Sequence, residues 1–297
     1  MIPLCLLTGF LGAGKTSVLE HIAREPTRRR LLFLVNELSP EDVDGHRLSA
    51  SHSSVVALPG GSIFCACLVS EFIRQMRVIH RDYPDLEGVV IEASGMANPT
   101  VVHRLLLESR LTEQFSLRGI VVVVDPGAFI KLREILPNVT EQIKAANLVI
   151  LNKVDLHPES LIDQTDADIR EINPRCFMVR ATFGEVSLDW FAPYPWPVSS
   201  TGQYAPCRDP HFVAQFVRVK DPFDLNHFES AFARVQSDFY RLKGFVPVGK
   251  RWVYLDFAGD QLRSQTVPCP SPLAGLAVIL RAEIRKETHR FLEELTA

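Results

Sequence analysis

Gly9-Phe10-Leu11-Gly12-Ala13-Gly14-Lys15-Thr16 constrains this chain more than any other stretch. It fits the spacing G-x-x-x-x-G-K-[ST], directly after the apolar run Pro3 to Leu7 and directly before a segment of helical spacing. Glycines at such positions let the backbone turn so that successive N–H groups point inward, beside the positive end of the helix that follows. The cradle suits phosphate oxygens. Gly9, Gly12, Ala13, Gly14 and Ser17 are its candidate contacts, Lys15 would reach the outer phosphates, and Thr16 would place its hydroxyl on magnesium.

The strand-then-helix order repeats through the first two thirds of the chain. Apolar runs at Pro3 to Leu7, Leu31 to Val35, Val55 to Leu58, Gly88 to Ile91, Ile120 to Val124, Leu148 to Leu151 and Phe177 to Val179 alternate with helical segments starting near Lys15, Val69, Thr100, Val139 and Glu159. This pattern predicts an α/β fold: a mostly parallel sheet, covered by helices on both faces, with Val121 to Val124 as the clearest central strand. With 297 residues, 46% of them apolar, the chain has room for a second domain. Pro193, Pro195, Pro197, Gly202, Pro206 and Pro210 break the pattern, so the expected division is 1–191, a Pro-rich linker 192–210, and a smaller α+β domain 211–297. In that last part Phe212 to Val219 and Trp252 to Phe257 alternate like strands, whereas Leu225 to Leu242 and Glu283 to Leu295 have helix spacing.

The formal net charge of -3 gives no general attraction to nucleic acid or anionic membrane, so neither is expected as a partner. Arg28 to Arg30, the one basic run, reads as a solvated turn. Ile2 to Ala13 imitates the apolar centre of a signal peptide, but no basic residue precedes it and Gly14-Lys15-Thr16 follows where cleavage would be expected. It is read as a buried strand running into a loop. Six cysteines, Cys5, Cys65, Cys67, Cys176, Cys207 and Cys269, are too few to staple a scaffold of this size, and the expected location is the cytoplasm.

Asn152-Lys153-Val154-Asp155 follows the run Leu148 to Leu151, about 140 residues after the glycine-rich loop, at the carboxyl end of the sheet where ligands of open parallel folds bind. A carboxylate at Asp155 can accept two hydrogen bonds from the N1–H and 2-amino group of guanine, a pair that adenine lacks. The stem of Lys153 can lie along the base face. Ala181 or Thr182, after the last run, would add a backbone contact. Guanine nucleotides, GTP and GDP, are the expected ligands.

Glu92-Ala93-Ser94-Gly95 leaves the run Gly88 to Ile91 where an acidic residue would bind the water shell of magnesium. Gly95 would give its N–H to the terminal phosphate and move when that phosphate leaves. Asn36-Glu37 opens a polar loop with Glu41, Asp42 and Asp44, a candidate first switch in which Glu37 either positions the attacking water or binds a metal. Lys15, Glu37, Glu92 and Gly95 are thus the candidate catalytic residues. Asp125, after Val124, reads as a turn or structural acid.

Taken together these residues resemble the CobW-type GTPases, relatives of HypB and UreG. The match covers most of the chain and rests on Gly9 to Thr16, Asn36-Glu37, Glu92-x-Ser94-Gly95 with Pro99, Val124-Asp125 and Asn152 to Asp155; Arg241-Leu242-Lys243-Gly244 followed by Trp252 looks like the C-terminal signature of the family. The resemblance implies a P-loop NTPase fold and slow GTP hydrolysis coupled to delivery of a metal, zinc or cobalt, or to maturation of a metal- or corrinoid-dependent client protein. It also implies a nucleotide-dependent homodimer. The family's Cys-x-Cys-Cys motif is degenerate here: Gly60-Gly61-Ser62-Ile63-Phe64-Cys65-Ala66-Cys67 keeps one of three expected thiols and adds Cys67. Cys65, Cys67 and Glu37 either form a three-ligand zinc site with an open position or leave two cysteines as small core residues. Accordingly, two functions stand: metal or cofactor delivery driven by GTP, and a GTP-gated interaction switch without metal cargo.

Overall fold

Leu4 and Leu6 point to one side of the first strand and Cys5 and Leu7 to the other, and all four are fully buried. A strand apolar on both sides must lie inside a sheet covered on both faces. The computed structural model describes residues 1–24, 30–37, 54–59, 69–95, 97–194, 212–258, 261–268, 274–281 and 283–296. In it this strand, β1 (Ile2–Thr8), is the centre of a seven-stranded sheet with β2 (Leu31–Glu37), β3 (Ser54–Pro59), β4 (Gly88–Glu92), β5 (Phe115–Val124), β6 (Leu148–Leu151) and β7 (Phe177–Arg180). The order is β3-β2-β4-β1-β5-β6-β7 and every pairing is parallel. The centre is therefore β1, with β5 beside it.

Among the described residues six helices cover this sheet: α1 (Lys15–Arg24), α2 (Val69–Asp82), α3 (Val102–Glu108), α4 (Pro126–Ile135), α5 (Pro137–Ala145) and α6 (Glu159–Ile172). On one face Phe72, Leu105, Phe129, Ile143 and Ile162, one from each of α2 to α6, meet Leu4, Leu6, Val122 and Val124. On the other, Val18, Leu19 and Ile22 of α1 meet Cys5, Leu7, Val121 and Val123, joined by Trp190 and Phe191. Burial of each such side chain is worth about 1.5–3 kcal/mol. The helix α4 was not expected from periodicity; it forms because Asp125 accepts from the Gly127 N–H (2.9 Å) as its N-cap, with Pro126 in the first turn.

A separate antiparallel sheet follows, with β8 (Phe212–Arg218), β9 (Phe239–Val248), β10 (Arg251–Ala258), β11 (Gln261–Val267) and β12 (Gly275–Arg281) in the order β11-β10-β9-β12-β8. Helices α7 (Leu225–Val235) and α8 (Lys286–Leu295) close one core with it, built on Phe228, Phe232, Phe257 and Phe291. The helix expected over Leu225 to Leu242 therefore ends early. After Val235 a single turn, Gln236–Asp238, leads into β9, which is paired on both sides by β10 and β12. Two ladders of backbone hydrogen bonds outweigh the local helical spacing there. The Asp238 carboxylate fixes this joint by accepting from the Arg285 backbone N–H (3.1 Å) and the Thr288 hydroxyl of α8. Burial raises its pKa, but these donors outweigh burial and leave it below the usual carboxylate range.

The second sheet also touches the glycine-rich loop: Tyr240 of β9 meets Phe10 edge-on, ring centroids 6.3 Å apart. Among the described residues no helix is long and apolar enough to cross a membrane. The expected linker falls largely on residues 195–211, which lie outside the described residues.

Candidate nucleotide site

The loop between β1 and α1 needs glycine for reasons of space. Gly9 has φ 137°, and a Cβ there would come within 2.2 Å of the Val123 carbonyl oxygen. Gly14 has φ 103°, and its Cβ would meet Asn152 Nδ2 at 2.2 Å. Only a residue without a side chain lets the loop lie flat on β5 and the end of β6. The Lys15 ammonium turns back over the loop and donates to the Gly9 carbonyl at 2.9 Å and the Phe10 carbonyl at 3.4 Å. This sets a buried ammonium over the carbonyls of the glycine-rich loop.

Asn152 does not wait in solvent for a ligand. It is buried, its Nδ2 donates to the Ala13 carbonyl (3.0 Å), and its Oδ1 accepts from the Gly184 N–H (2.9 Å). One side-chain amide thus rivets the phosphate loop to the loop after β7. Lys153 is held in the left-handed region, φ 63°, and its ammonium binds Asp125 Oδ2 at 2.7 Å. The other Asp125 oxygen takes His157 Nε2 at 2.8 Å as well as the Gly127 N–H. His157 lies so close over Gly127 that a Cβ there would touch the ring at 2.3 Å. Asp125 is thus a cap and a clamp at once, and its role as a clamp is not readable from a lone acid after a strand. Asp155 sits in the turn Val154–Leu156 with its side chain exposed.

The loop after β7 corrects one expectation. The Ala181 N–H is taken by the Leu151 carbonyl (2.8 Å) and its carbonyl accepts from the Val154 N–H (3.3 Å), so Ala181 has no main-chain donor left for a ligand. Thr182 is the alternative in the same loop. Phe183, which follows, was missed: it is 71% exposed and held at φ 54°. A bulky residue in that region is strained, and strain of this kind gathers at ligand sites. Exposure is a tertiary property, so no local pattern could mark it. Phe183 and Ser17 also line a cleft of about 430 Å³ that continues along α1 to Tyr254 and Arg263 of the second sheet.

At the other end of the site Glu92, buried, lies in register with Leu7 and Val35, and the Ala93 N–H donates to the Leu7 carbonyl at 2.9 Å. Gly95 stands against Leu11, where a Cβ would come within 2.8 Å of the Leu11 main-chain nitrogen. The loop with Glu92 and Gly95 is thereby brought to the phosphate loop, whose last residue, Thr16, lies in the first turn of α1. An oxygen-donor pair, a threonine hydroxyl and a carboxylate, is the kind that magnesium takes.

Glu37 is described as the last residue of β2. Cys65, Cys67, Glu41, Asp42 and Asp44 lie outside the described residues. Among the described residues no group of three or more His, Cys, Asp or Glu could hold a metal ion. Cys5 and Cys176 are buried free thiols, and burial pushes the Cys5 pKa up to about 12, so this thiol stays protonated.

A model of the nucleotide-binding domain of CobW, HypB and UreG matches residues 3–180. The zinc-regulated GTPase metalloprotein activator 1 of Schizosaccharomyces pombe is 31% identical over 199 residues, covering 62% of this chain and 47% of that protein. The zinc chaperone CobW of Pseudomonas aeruginosa is 27% identical over 219 residues, covering 63% and 58%. The chain thus spans about half the length of these curated relatives. The crystal structure of Zn(II)-bound YjiA GTPase from Escherichia coli aligns over 100% of this chain and 99% of its own with a TM-score of 0.50 at 17% identity, a likeness of fold. With the phosphate loop, the Asn152 rivet and a match over residues 3–180, the chain belongs to the CobW/HypB/UreG family.

Proposed function

We propose that the chain binds GTP with magnesium and hydrolyses it slowly, within a nucleotide-binding part at 1–191 followed by a connector at 192–210 and a C-terminal part at 211–297. The reading is carried by Asn152, whose amide joins the phosphate loop to the base-side loop in one buried contact. Lys15 balances the outer phosphates, Thr16 and Glu92 hold magnesium, and Gly95 and Glu37 serve the terminal phosphate and the attacking water. Magnesium supplies charge neutralisation for phosphoryl transfer. On the base, Asp155 reads the guanine edge, the stem of Lys153 lies under one face, Phe183 flanks the other, and the Thr182 N–H adds a main-chain contact. The decisive test is equilibrium binding of GTP against ATP to the purified chain: saturable, magnesium-dependent GTP binding is expected, lost in a Lys15→Ala, Asp155→Ala double variant. Equal binding of ATP, or retention in the double variant, overturns the reading.

Asp125→Asn offers a sharper check, because the amide oxygen still accepts from Gly127 while the charge on Lys153 is unbalanced. GTP affinity should fall about tenfold, the size of a charge-assisted hydrogen bond, with little change in thermal midpoint; an unchanged affinity excludes the clamp.

Two relatives bear the name of zinc chaperone or zinc-regulated activator. We infer on that basis that hydrolysis serves delivery of zinc, or of cobalt or a corrinoid, to a client protein, with a nucleotide-dependent homodimer as the working form. The replacement of two family cysteines by Ser62 and Phe64 favours the second reading, a GTP-gated interaction switch without metal cargo. Zinc titration of the wild type against Cys65→Ala and Cys67→Ala, with and without GTP, separates the two: equal and negligible binding removes the metal cargo.

A further inference from the structure

Gln142 lies within α5 with 1% of its surface exposed. Its side-chain nitrogen donates to two carbonyls, Gly95 at 3.2 Å and Ala97 at 3.1 Å, 47 and 45 residues away in sequence. The segment it holds is the loop after Glu92, which closes on itself through the Ala97 N–H to the Ser94 carbonyl, 2.9 Å. On its far side the loop presses Gly95 against Leu11 of the phosphate loop. Both donor hydrogens of one amide are spent on this loop. The same α5 leads through Asn147, whose Oδ1 accepts from the Ile120 N–H at 2.9 Å, into β6, and Asn152 directly follows that strand. One continuous piece therefore carries the anchor of this loop at one end and the base reader at the other.

We propose that Gln142 is a positioning residue for GTP hydrolysis: by fixing the Gly95 and Ala97 carbonyls it aims the Gly95 N–H at the terminal phosphate and ties that loop to the base reader. This rests on the GTPase reading above. A merely structural glutamine would stabilise the fold without distinguishing GTP from GDP, since GDP lacks the phosphate that Gly95 meets. An anchor of the sensing loop does distinguish them.

The test is Gln142→Met, which keeps an unbranched side chain of similar length and removes both donors, with Gln142→Asn, one methylene short, as the second variant. In the folded variants GDP affinity should stay near that of wild type, while single-turnover hydrolysis and the preference for GTP over GDP each fall roughly tenfold, the scale of such coupling. Amide hydrogen exchange at 93–98 should quicken in the GTP-bound state. Hydrolysis and preference equal to wild type in a folded variant overturn the proposal, as does an equal loss of GDP and GTP affinity. Failure of both variants to fold assigns Gln142 to stability and overturns it too. A wild type that binds no guanine nucleotide sinks the GTPase reading and this inference together, an outcome distinct from a wild type that hydrolyses GTP beside variants that keep pace.

Discussion

Asp155→Asn is expected to turn the base pocket from guanine toward xanthine nucleotides. The carboxylate offers two acceptors to the N1–H and 2-amino group of guanine. Its amide replacement keeps one acceptor and places an N–H donor opposite the 2-amino group, so donor meets donor. Xanthine carries a carbonyl at that position and accepts the new donor. Loss of a charge-assisted pair together with a mismatched donor should lower GTP affinity about a hundredfold or more, and xanthosine triphosphate should gain in return. The side chain is exposed, so the fold has no stake in it and the melting temperature should not move. Competition of GTP and xanthosine triphosphate for a fluorescent guanine nucleotide decides the matter. If the variant keeps its GTP affinity and gains nothing for xanthine, Asp155 does not read the base.

Gly14→Ala is expected to disable both ends of the site through one methyl group. Its φ of 103° is a backbone conformation that L side chains rarely adopt, and the methyl would stand 2.2 Å from Asn152 Nδ2. Asn152 has little room to retreat, since it is buried and bonded to Ala13 on one side and Gly184 on the other. Relief requires the loop to lift or the amide to swing out, and either one breaks the rivet. Backbone strain alone costs about 1–3 kcal/mol, and the broken buried hydrogen bonds add a similar amount. GTP affinity should fall at least about a hundredfold, measured by the same titration. A near-normal affinity in Gly14→Ala would show that the rivet plays no part in binding.

Some of this was plain in the residues and some was not, and the division has a cause. Gly9 to Thr16, the strand runs before Glu92 and Asn152, and the alternation of strand and helix are local: each depends on neighbours within a few residues, so their spacing declares them. The helix α4 escaped because its signal is a cap at Asp125 rather than a period. In the second sheet Phe239 to Leu242 continues the spacing of α7, which locally predicts helix, but pairing with β10 and β12 makes it strand. Likewise β11, exposed along most of its length, carries too little apolar alternation to be seen.

The sequence by itself determined the glycine-rich loop, the place of Asn152 to Asp155 directly after a strand, and the parallel sheet that carries both, because backbone turns and apolar periods are written in adjacent residues. Only the tertiary structure decided that Asp125 clamps Lys153 across 28 residues, that Gln142 holds Gly95 across 47, that Ala181 has spent its N–H, and that Phe183 stands in solvent beside the base loop. Such contacts join residues far apart in the chain. Chain folding chooses those partners, and no local pattern carries the choice.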